Sequence, residues 1–323
     1  MQGVDTIFDN NKVPVKKLWQ VIMASSVGTV IEWYDFYIFG SLSAIISLSF
    51  FPKEDPTAAF ISTLAAFGAG FVARPFGGVL FGRLGDLIGR KYTFLLTLLL
   101  MGGSTFAIAF IPSYEKIGLV APAVLLALRI IQGLALGGEY GGAATYVAEY
   151  APDAERGKYT SYIQTTATLG FFVSILVILC TQQLLGDAAF KDWGWRVPFA
   201  LSGILVIVSY FIRRNMDESP LFSKLKVEGR LSENPLKEAF ASKANRRLML
   251  IAMFGAIVGQ GVVWHTGQFY AQIFINKILQ VDFITTNLII AASLVVGTPL
   301  FVYFGSLSDR VGRKKIMLGG MAL

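Results

Sequence analysis

One charged cluster occurs twice in this chain and constrains its fold more than any other feature. Residues 81–91 and 304–314 match at seven positions, and each matching residue of the second copy follows its counterpart by 223 positions. Each copy lies between two long apolar segments. A charged turn between apolar helices, repeated once per half, predicts a transporter built from duplicated halves. The matching pairs are Phe81 and Phe304, Gly82 and Gly305, Leu84 and Leu307, Asp86 and Asp309, Gly89 and Gly312, Arg90 and Arg313, and Lys91 and Lys314.

The apolar segments are long enough for a protein that crosses the bilayer several times. Hydrophobic residues make up 54% of the 323 positions, charged residues make up 15%, and the mean hydropathy is +0.59. A membrane-spanning helix needs about 20 mostly apolar residues. We therefore expect an all-α polytopic membrane protein. Its helices are predicted at 18–50, 57–81, 93–112, 119–149, 159–185, 195–212, 248–275 and 281–304.

A ninth apolar segment begins after Lys315 but has only eight residues. These make about 12 Å of helix, against a hydrocarbon core of about 30 Å, so we expect a fold that is truncated after about eight helices. The predicted organisation is a six-helix N-terminal half at 1–214 and a cytoplasmic linker at 215–246. The start of a C-terminal half follows at 247–323, with helices seven and eight and the beginning of helix nine.

The net charge of +7 indicates membrane orientation and not nucleic-acid binding. With the N-terminus in the cytoplasm, 21 of the 28 Lys and Arg residues lie on the cytoplasmic side, which is the asymmetry expected of membrane proteins. We expect a multi-pass protein of the cell membrane, inner or plasma, with the lipid bilayer as a partner and no nucleic acid. The sequence leaves the oligomeric state open, with a monomer expected.

Residue types for metal or nucleotide chemistry are scarce. The chain has one cysteine, Cys180, and one histidine, His265, so neither a disulfide framework nor a Cys/His metal site is expected. No glycine-rich loop ends in Gly-Lys-Ser/Thr, and no nucleophile–base constellation is evident. We therefore expect no cofactor, no metal and no enzymatic activity.

The repeated clusters resemble the loop signature of the major facilitator superfamily, found between helices two and three and again between helices eight and nine. Five further stretches resemble its metabolite:proton symporter branch, whose members transport proline and betaines, α-ketoglutarate, citrate or shikimate with a proton. The resemblance covers essentially the whole chain. It implies two six-helix halves, a cavity lined by helices one, four and seven, and a small-molecule substrate that moves together with protons. The stretches are 28–36, 74–78, 129–142, 193–199 and 218–220.

Five ionisable residues lie within predicted helices, where each costs at least about 2.5–3.5 kcal/mol unless it is paired or faces water. Depth along the helices, at about 1.5 Å per residue, sorts them into two levels. Glu32, Asp35 and Arg129 lie at the level farther from the cytoplasm, and Arg74 and Glu139 lie at the nearer level. We predict that Arg129 pairs with Glu32 or Asp35 and that Arg74 pairs with Glu139. The alternative is that these are structural ion pairs that hold the helices together.

Polar residues near these charges define the predicted proton and solute sites. Glu32 and Asp35 are three positions apart and share one helix face. Because Arg129 can balance only one of them, the other is predicted to hold the proton, with a slight preference for Asp35. The planar guanidinium of Arg129 is expected to bind a solute carboxylate. The predicted substrate-binding residues are Arg129, Gln132, Tyr34, Tyr37, Tyr140, Gln260 and His265.

Glycines have two predicted roles. Gly133, Gly137 and Gly141 follow one another at four-residue steps, which is typical of close helix packing in membranes. The resemblance implies that the repeated loops form a latch on the cytoplasmic side while the protein faces outward, and solvated turns are the alternative. The predicted latch residues are Gly82, Asp86, Gly89, Arg90, Gly305, Asp309, Gly312 and Arg313.

The sequence therefore predicts secondary active transport by proton symport with alternating access. The predicted substrate is a small polar metabolite or osmolyte that bears a carboxylate, and the sequence does not name it. The alternatives are a non-transporting membrane receptor or sensor on the same fold, and a uniporter. Sodium coupling also remains open.

Overall fold

The computed structural model describes residues 15–215 and 217–322, and these residues form helices joined by short loops. The all-α prediction is confirmed. In chain order the α-helices are α1 Val15–Ser41, α2 Ser43–Phe50, α3 Pro56–Ile88, α4 Arg90–Ile108, α5 Tyr114–Ile117, α6 Val120–Tyr150, α7 Arg156–Leu185, α8 Asp187–Ala189, α9 Arg196–Arg214, α10 Pro220–Val227, α11 Pro235–Ala241, α12 Lys243–Ala252, α13 Val258–His265, α14 Ala271–Ile273, α15 Phe283–Val311 and α16 Arg313–Ala322.

Two predicted helices differ from the observed ones. The first was predicted at 18–50, but α1 ends at Ser41 and α2 begins at Ser43, next to Gly40, a poor helix former. The seventh was predicted at 248–275, but helical structure runs from Lys243 to Ile278. Within it, α12, α13 and α14 are joined by wider π-helical turns at Met253–Ile257, Thr266–Tyr270 and Phe274–Ile278.

Seven helical segments of the described chain are long and apolar enough to cross a membrane. The sequence predicted eight, and the difference is α1, in which polar residues such as Glu32 and Asp35 lower the hydropathy. α1 nevertheless packs against α6, α7 and α9, which are among the seven. The division into 1–214, 215–246 and 247–323 stays a prediction. The seven segments are Pro56–Ile88, Arg90–Ile108, Val120–Tyr150, Asp153–Leu185, Arg196–Arg214, Lys243–His265 and Ile284–Val311.

Each repeated cluster ends one long helix and begins the next through a glycine with positive φ. Gly89 has φ 104° and Gly312 has φ 103°, a region that glycine adopts at little cost. The two sequence copies therefore form the same kind of turn. We call the end of the bundle that contains both turns the repeat end.

Glycines let α3 and α6 approach closely. A Cβ added at Gly133 would lie 2.0 Å from the carbonyl oxygen of Gly70, and one added at Gly137 would lie 1.9 Å from that of Arg74. Neither position has room for a side chain, so the predicted packing role is confirmed for these two glycines. A Cβ at Gly141 would meet nothing within 4 Å, so Gly141 does not serve this contact.

Helix α15 packs along α7 and so joins the two predicted halves. At the repeat end a Cβ added at Gly157 would lie 2.7 Å from the carbonyl oxygen of Gly305. Deeper in the bundle, the Thr298 hydroxyl bonds to the Thr168 hydroxyl over 2.7 Å. Glycine at the crossing point allows this close approach.

The end opposite to the repeat end has an apolar core and a charged rim. Trp195, Phe199 and Phe50 are fully buried in this core. At the surface the Lys53 ammonium lies 2.5 Å from the Glu115 carboxylate. The hydrogen bond and the positive charge of Lys53 lower the pKa of the Glu115 carboxyl.

Candidate functional site

Asp35 belongs to a buried network of hydrogen bonds between α1, α4 and α6. Thr105 Oγ1 donates to Asp35 Oδ2 over 2.8 Å, and Gln132 Nε2 donates to Thr105 Oγ1 over 2.6 Å. Arg129 Nη1 in turn donates to Gln132 Oε1 over 2.7 Å. All four side chains are buried. Asp35 and Arg129 are therefore connected through two neutral side chains.

Arg129 does not form the predicted direct ion pair with Glu32 or Asp35. In the part of the chain that the structure describes, no ion pair within 4.0 Å includes Arg129. Its guanidinium carbon lies 4.2 Å from the ring centre of Phe39 and 5.0 Å from that of Phe67. The aromatic rings and Gln132 thus hold the guanidinium, and its link to Asp35 is indirect.

Glu32 lies in the walls of two cavities. The smaller has a volume of about 20 Å³, which is room for about one water molecule, and it is also lined by Asp35, Arg74, Arg129 and Gln132. The larger has a volume of about 520 Å³ and is lined by both Glu32 and Arg74. Glu32 is 4% exposed, and its Oε2 has no hydrogen-bond partner among the described residues.

We call the larger space the central cavity. Its wall is formed by α1, α3, α6 and α7 and by residues of the segment 257–265. Three of the predicted substrate-binding residues line it, namely Tyr140, Gln260 and His265. The Tyr140 hydroxyl donates to Gln164 Oε1 over 2.6 Å, which adds a polar group that the sequence analysis did not single out.

Aromatic rings cover another part of the central cavity. The Trp33 and Trp264 rings lie 5.8 Å apart, and the Phe71 ring lies 5.2 Å from the His265 ring. His265 Nδ1 is 2.7 Å from the Gly261 carbonyl oxygen. A mostly apolar wall with a few converging polar groups is typical of small-molecule sites.

Arg74 is a half-buried cation in the wall of the central cavity. Its guanidinium carbon lies 4.2 Å from the ring centre of Phe71 and 5.3 Å from that of Phe36. Its Nε has no hydrogen-bond partner, and no carboxylate oxygen of the described residues lies within 4.0 Å. The acid whose charge acts on it is Glu32.

The predicted pair of Arg74 and Glu139 is wrong, because Glu139 forms its ion pair with Arg213. Side chains of a helix lean toward its N-terminus, and α3 reaches the repeat end with its C-terminus. The Arg74 side chain therefore leans away from the repeat end, toward Glu32. The predicted pairing used only the depth of the backbone positions along the helices, which does not include the direction of a side chain.

The Glu139–Arg213 pair is completely enclosed. Glu139 is 0% exposed and Arg213 is 2% exposed, and Arg213 Nη1 also donates to the Phe94 carbonyl oxygen over 3.0 Å. The guanidinium passes over Gly28, where an added Cβ would lie 1.5 Å from Nη2. The sixth helix was predicted to end at residue 212, which left Arg213 outside the bundle, but α9 extends to Arg214 and the Arg213 side chain points into the bundle.

Tyr34 and Tyr37 do not line the central cavity, in contrast to their predicted role in substrate binding. The Tyr34 hydroxyl donates to the Pro198 carbonyl oxygen over 2.7 Å, and its ring is fully buried. Tyr37 is 2% exposed, and its ring lies 4.9 Å from the Phe171 ring. These tyrosines therefore pack against neighbouring helices and do not reach the cavity.

The second repeated loop docks on α7. Asp309 Oδ1 accepts a hydrogen bond from the Gly157 backbone N–H over 2.8 Å, and Oδ2 accepts one from Lys158 over 2.9 Å. Arg313 Nη2 donates to Asp309 Oδ1 over 2.5 Å. A carboxylate at a helix N-terminus is stabilised by the free N–H groups and by the helix dipole. This loop therefore holds the repeat end of α15 against α7.

The first repeated loop has different contacts. Asp86 is exposed, and it forms no ion pair within 4.0 Å with another described residue. Arg90 pairs with Glu149 of α6 over 2.8 Å. The Glu218 carboxylate accepts hydrogen bonds from the Arg90 and Lys91 backbone N–H groups over 2.9 and 3.3 Å. At this loop, the carboxylate that caps the N-terminus of α4 comes from Glu218, in the segment after α9.

Sequence reasoning missed three side chains of this site: Arg213, Thr105 and Gln164. Arg213 had a usable signal, because Gly28 left space on the same face of α1 as Glu32, and Glu139 required a cation. Thr105 and Gln164 had none, since single polar residues of these types occur throughout the apolar helices.

A bundle of membrane-spanning helices with a charged cavity between them defines a multi-pass membrane carrier. The chain belongs to the family described as sugar (and other) transporter, which matches residues 20–233, within the major facilitator superfamily. Its members are transporters, so the expectation that the protein is not an enzyme is confirmed.

Several relatives are metabolite or osmolyte transporters. The chain is 36% identical over 306 residues to the alpha-ketoglutarate permease of Escherichia coli, covering 94% of this chain and 68% of the permease. It is 34% identical over 320 residues to a protein of Staphylococcus haemolyticus provisionally named as a proline/betaine transporter, covering 97% of this chain and 67% of that protein. It is 44% identical over 228 residues to the inner membrane metabolite transport protein YhjE of Escherichia coli, covering 70% and 52%.

Solved structures confirm the fold. The proton:xylose symporter XylE bound to 6-bromo-6-deoxy-D-glucose superposes with a TM-score of 0.72 at 19% identity, over 92% of this chain and 70% of that one. The inward open conformation of the xylose transporter XylE from E. coli gives a TM-score of 0.56 over 91% and 66%.

Proposed function

We propose that the protein imports a small carboxylate-bearing metabolite or osmolyte together with a proton, by alternating access. Membership of a transporter family supports transport. The observation that supports a carboxylate is Arg74, a cation in the wall of the central cavity with no carboxylate oxygen of the described residues within 4.0 Å. A planar guanidinium fits a carboxylate with two parallel hydrogen bonds.

In this proposal Arg74 takes the role that the sequence analysis gave to Arg129. Arg129 lines the small cavity but not the central one, and it donates to Gln132, whereas Arg74 lines the cavity that is large enough for a metabolite. Tyr140, Gln164 and Gln260 also line the central cavity and supply further hydrogen-bonding groups there.

Glu32 is the proposed proton site, in preference to Asp35. Each acid has one buried oxygen without a hydrogen-bond partner in the described chain. The other oxygen of Asp35 accepts from Thr105, whereas Glu32 lines the central cavity. Arg74 can balance one negative charge. A solute carboxylate on Arg74 therefore favours a protonated Glu32, because two anions beside one cation repel each other. By linkage, proton binding favours solute binding to the same extent.

The proposed orientation places the N-terminus and the repeat end in the cytoplasm of the cell. The excess of Lys and Arg in the segments at the repeat end supports it. Under this orientation the contact between Asp309 and α7 holds the cytoplasmic side closed, and the docked loop serves as the predicted latch.

The test measures uptake into proteoliposomes that contain the protein. Radiolabelled proline, glycine betaine and α-ketoglutarate are offered separately, with an acidic exterior, with a sodium gradient, and without a gradient. We expect at least one solute to accumulate in response to the pH gradient, and a protonophore to abolish the accumulation. Downhill equilibration alone would indicate a uniporter, response to sodium alone a sodium-coupled carrier, and binding without flux a receptor.

Amide variants of the acids identify the proton site. Glu32→Gln should abolish accumulation driven by the pH gradient and keep solute exchange, since the amide resembles the protonated acid. Asp35→Asn is the matched comparison from the same helix face. Loss of accumulation in Asp35→Asn alone would return the proton site to the residue that the sequence favoured, and accumulation in both variants would exclude both acids.

A further inference from the structure

We propose that the Glu139–Arg213 pair is a proton-transfer station, through which the proton leaves Glu32 toward the repeat end of the bundle. This inference rests on the proposed proton symport and adds the exit route. The pair has no part in the solute site, because neither residue lines the central cavity.

Glu139 has one oxygen held and one oxygen available. Arg213 Nη2 bonds Glu139 Oε1, and Arg213 Nη1 bonds the Phe94 carbonyl oxygen. Glu139 Oε2 is buried and has no hydrogen-bond partner among the residues that the structure describes. An ion pair that served only to lock helices together would gain from a second bond at this oxygen. The available oxygen is a site for a proton.

Residues next to the pair line the central cavity and two cavities at the repeat end. Glu32 and Tyr140 line the central cavity. The first cavity at the repeat end has a volume of about 380 Å³, is lined by Phe94, Gly138 and the exposed Asp86, and shares a wall of glycines in α3 and α6 with the central cavity.

The second cavity at the repeat end has a volume of about 230 Å³. It is lined by Ala24 and Ile212 and reaches the exposed Asp217. Ala24 is one helical turn from Gly28, and Ile212 precedes Arg213. Neither Glu139 nor Arg213 lines any of these three cavities, but their neighbours along the helices do: Tyr140 lines the central cavity, and Gly138 and Ile212 line the other two.

The charges around Glu139 support a proton relay. Arg213 of α9 contacts it, Glu32 and Asp35 of α1 act on it through space, and α4 contributes the neutral Phe94 carbonyl oxygen. On α3, the charge of Arg74 acts on Glu32. Glu32 and Glu139 thus each have one arginine, and a single proton shared by the two acids has two alternative sites.

The transfer conserves charge. The O–H bond of Glu32 breaks and an O–H bond forms at Glu139 Oε2, with bridging water as the carrier of the proton. Glu32 is then ionised beside Arg74. When water reaches Glu139 from the repeat end, the proton passes to that water, and Arg213 again stabilises the ionised Glu139.

The test uses Glu139→Gln and Glu139→Asp in proteoliposomes, with whichever of proline, glycine betaine or α-ketoglutarate the unmodified protein accumulates. Glu139→Gln should lower accumulation driven by the pH gradient by at least about tenfold and keep solute exchange within about threefold, a tenfold change being about 1.4 kcal/mol. Glu139→Asp keeps the carboxyl and should keep accumulation. The matched control is Glu115→Gln, an exposed glutamate at the opposite end, which should behave as the unmodified protein does.

The double variant E139Q/R213Q separates a relay from a structural pair. It removes both charges and keeps a polar contact, so a purely structural pair predicts that accumulation returns, and a relay predicts that exchange is kept while accumulation stays lost. Accumulation at the unmodified level in Glu139→Gln or in the double variant would overturn the proposal.

A measurement on the unmodified protein tests the proposal even if the variants fail to insert into the membrane. A hydrophobic carbodiimide, which modifies protonated carboxyls in apolar surroundings, should label Glu139 more strongly as the pH falls, as read by peptide mass spectrometry. Absence of labelling at every pH would overturn the relay. If no solute accumulates in the unmodified protein, the proposed symport fails, and the labelling still decides whether Glu139 takes up a proton.

Discussion

Arg213 and Arg74 are guanidinium groups of the same helical bundle, and their surroundings differ. Arg213 is 2% exposed, paired with Glu139 and bonded to a backbone carbonyl. Arg74 is half-buried, lies on the Phe71 ring, and has no carboxylate oxygen of the described chain within 4.0 Å. A paired buried cation contributes to the stability of the fold, whereas a cation without an anion keeps its binding capacity for a ligand. The difference separates residues that hold the bundle from residues that bind the solute.

The largest expected effect follows from removing the partner of Arg213. Glu139→Ala leaves a buried cation uncompensated, which should lower the free energy of unfolding by about 3–5 kcal/mol. Arg74→Ala leaves Glu32, which can take up a proton and become neutral, and should lower the free energy of unfolding by less than about 1 kcal/mol. The measurement is thermal unfolding in detergent, followed by tryptophan fluorescence. Equal destabilisation in the two variants would remove the distinction between the two arginines.

The next effect concerns solute affinity. Arg74→Gln should weaken binding of the transported solute by about 1.5–3 kcal/mol, the usual contribution of a hydrogen bond to a charged group, with unfolding nearly unchanged. Binding is measured by equilibrium dialysis of the radiolabelled solute. The matched control is Arg156→Gln, because Arg156 is an exposed arginine paired with Asp153 at the repeat end. An unchanged affinity in Arg74→Gln would assign the carboxylate to another group.

A smaller effect is expected from Gly28→Ala. The added Cβ would lie 1.5 Å from Arg213 Nη2, so the guanidinium must move and the pair with Glu139 must loosen, at a cost of about 1–3 kcal/mol. Gly103→Ala is the control, because a Cβ there meets nothing within 4 Å, and alanine in a helix should be neutral or stabilising. Thermal unfolding of both variants measures the difference. If Gly28→Ala leaves thermal unfolding unchanged, the Arg213 side chain can reach Glu139 in another conformation.

The smallest effects extend the comparison to the repeated loops, where Asp309 is docked and Asp86 is exposed. Asp309→Asn removes a charge from the N-terminus of α7, which should lower stability by about 0.3–1 kcal/mol and change the rate of solute uptake. Asp86→Asn should leave thermal unfolding unchanged. The latch role predicted for Asp86 implies that Asp86→Asn slows or stops transport, which the same uptake assay measures. Unchanged uptake in that variant would reduce the first loop to a topological turn.

The sequence predicted the helices well, because long apolar segments and charged turns have few other solutions in a bilayer. It misplaced helix ends where a helix continues past its apolar segment. The second helix was predicted to end at 81, but α3 continues to Ile88. Hydropathy detects the edge of the apolar layer, while helical hydrogen bonding extends into the polar cluster that contains Asp86.

The candidate site was predicted less completely than the fold. The charged residues were found, because each is costly in a membrane helix. The partners were not, since depth and helix face do not give the direction or reach of a long side chain. Arg74 leans toward Glu32, and Arg213 reaches Glu139 from the last turn of α9. A close approach such as that between Arg213 and Gly28 joins helices far apart in sequence, and a single sequence does not reveal it.

The space above Gly28, which the Arg213 guanidinium fills, also limits which substitutions can be accepted during evolution. Any side chain at position 28 competes with the guanidinium of Arg213 for the same volume, and without that guanidinium Glu139 is an isolated buried acid. A lineage that replaces the glycine must therefore replace the arginine and neutralise the glutamate before it regains a stable bundle. Gly28, Glu139 and Arg213 are thus expected to be inherited as a unit, although they come from three different helices.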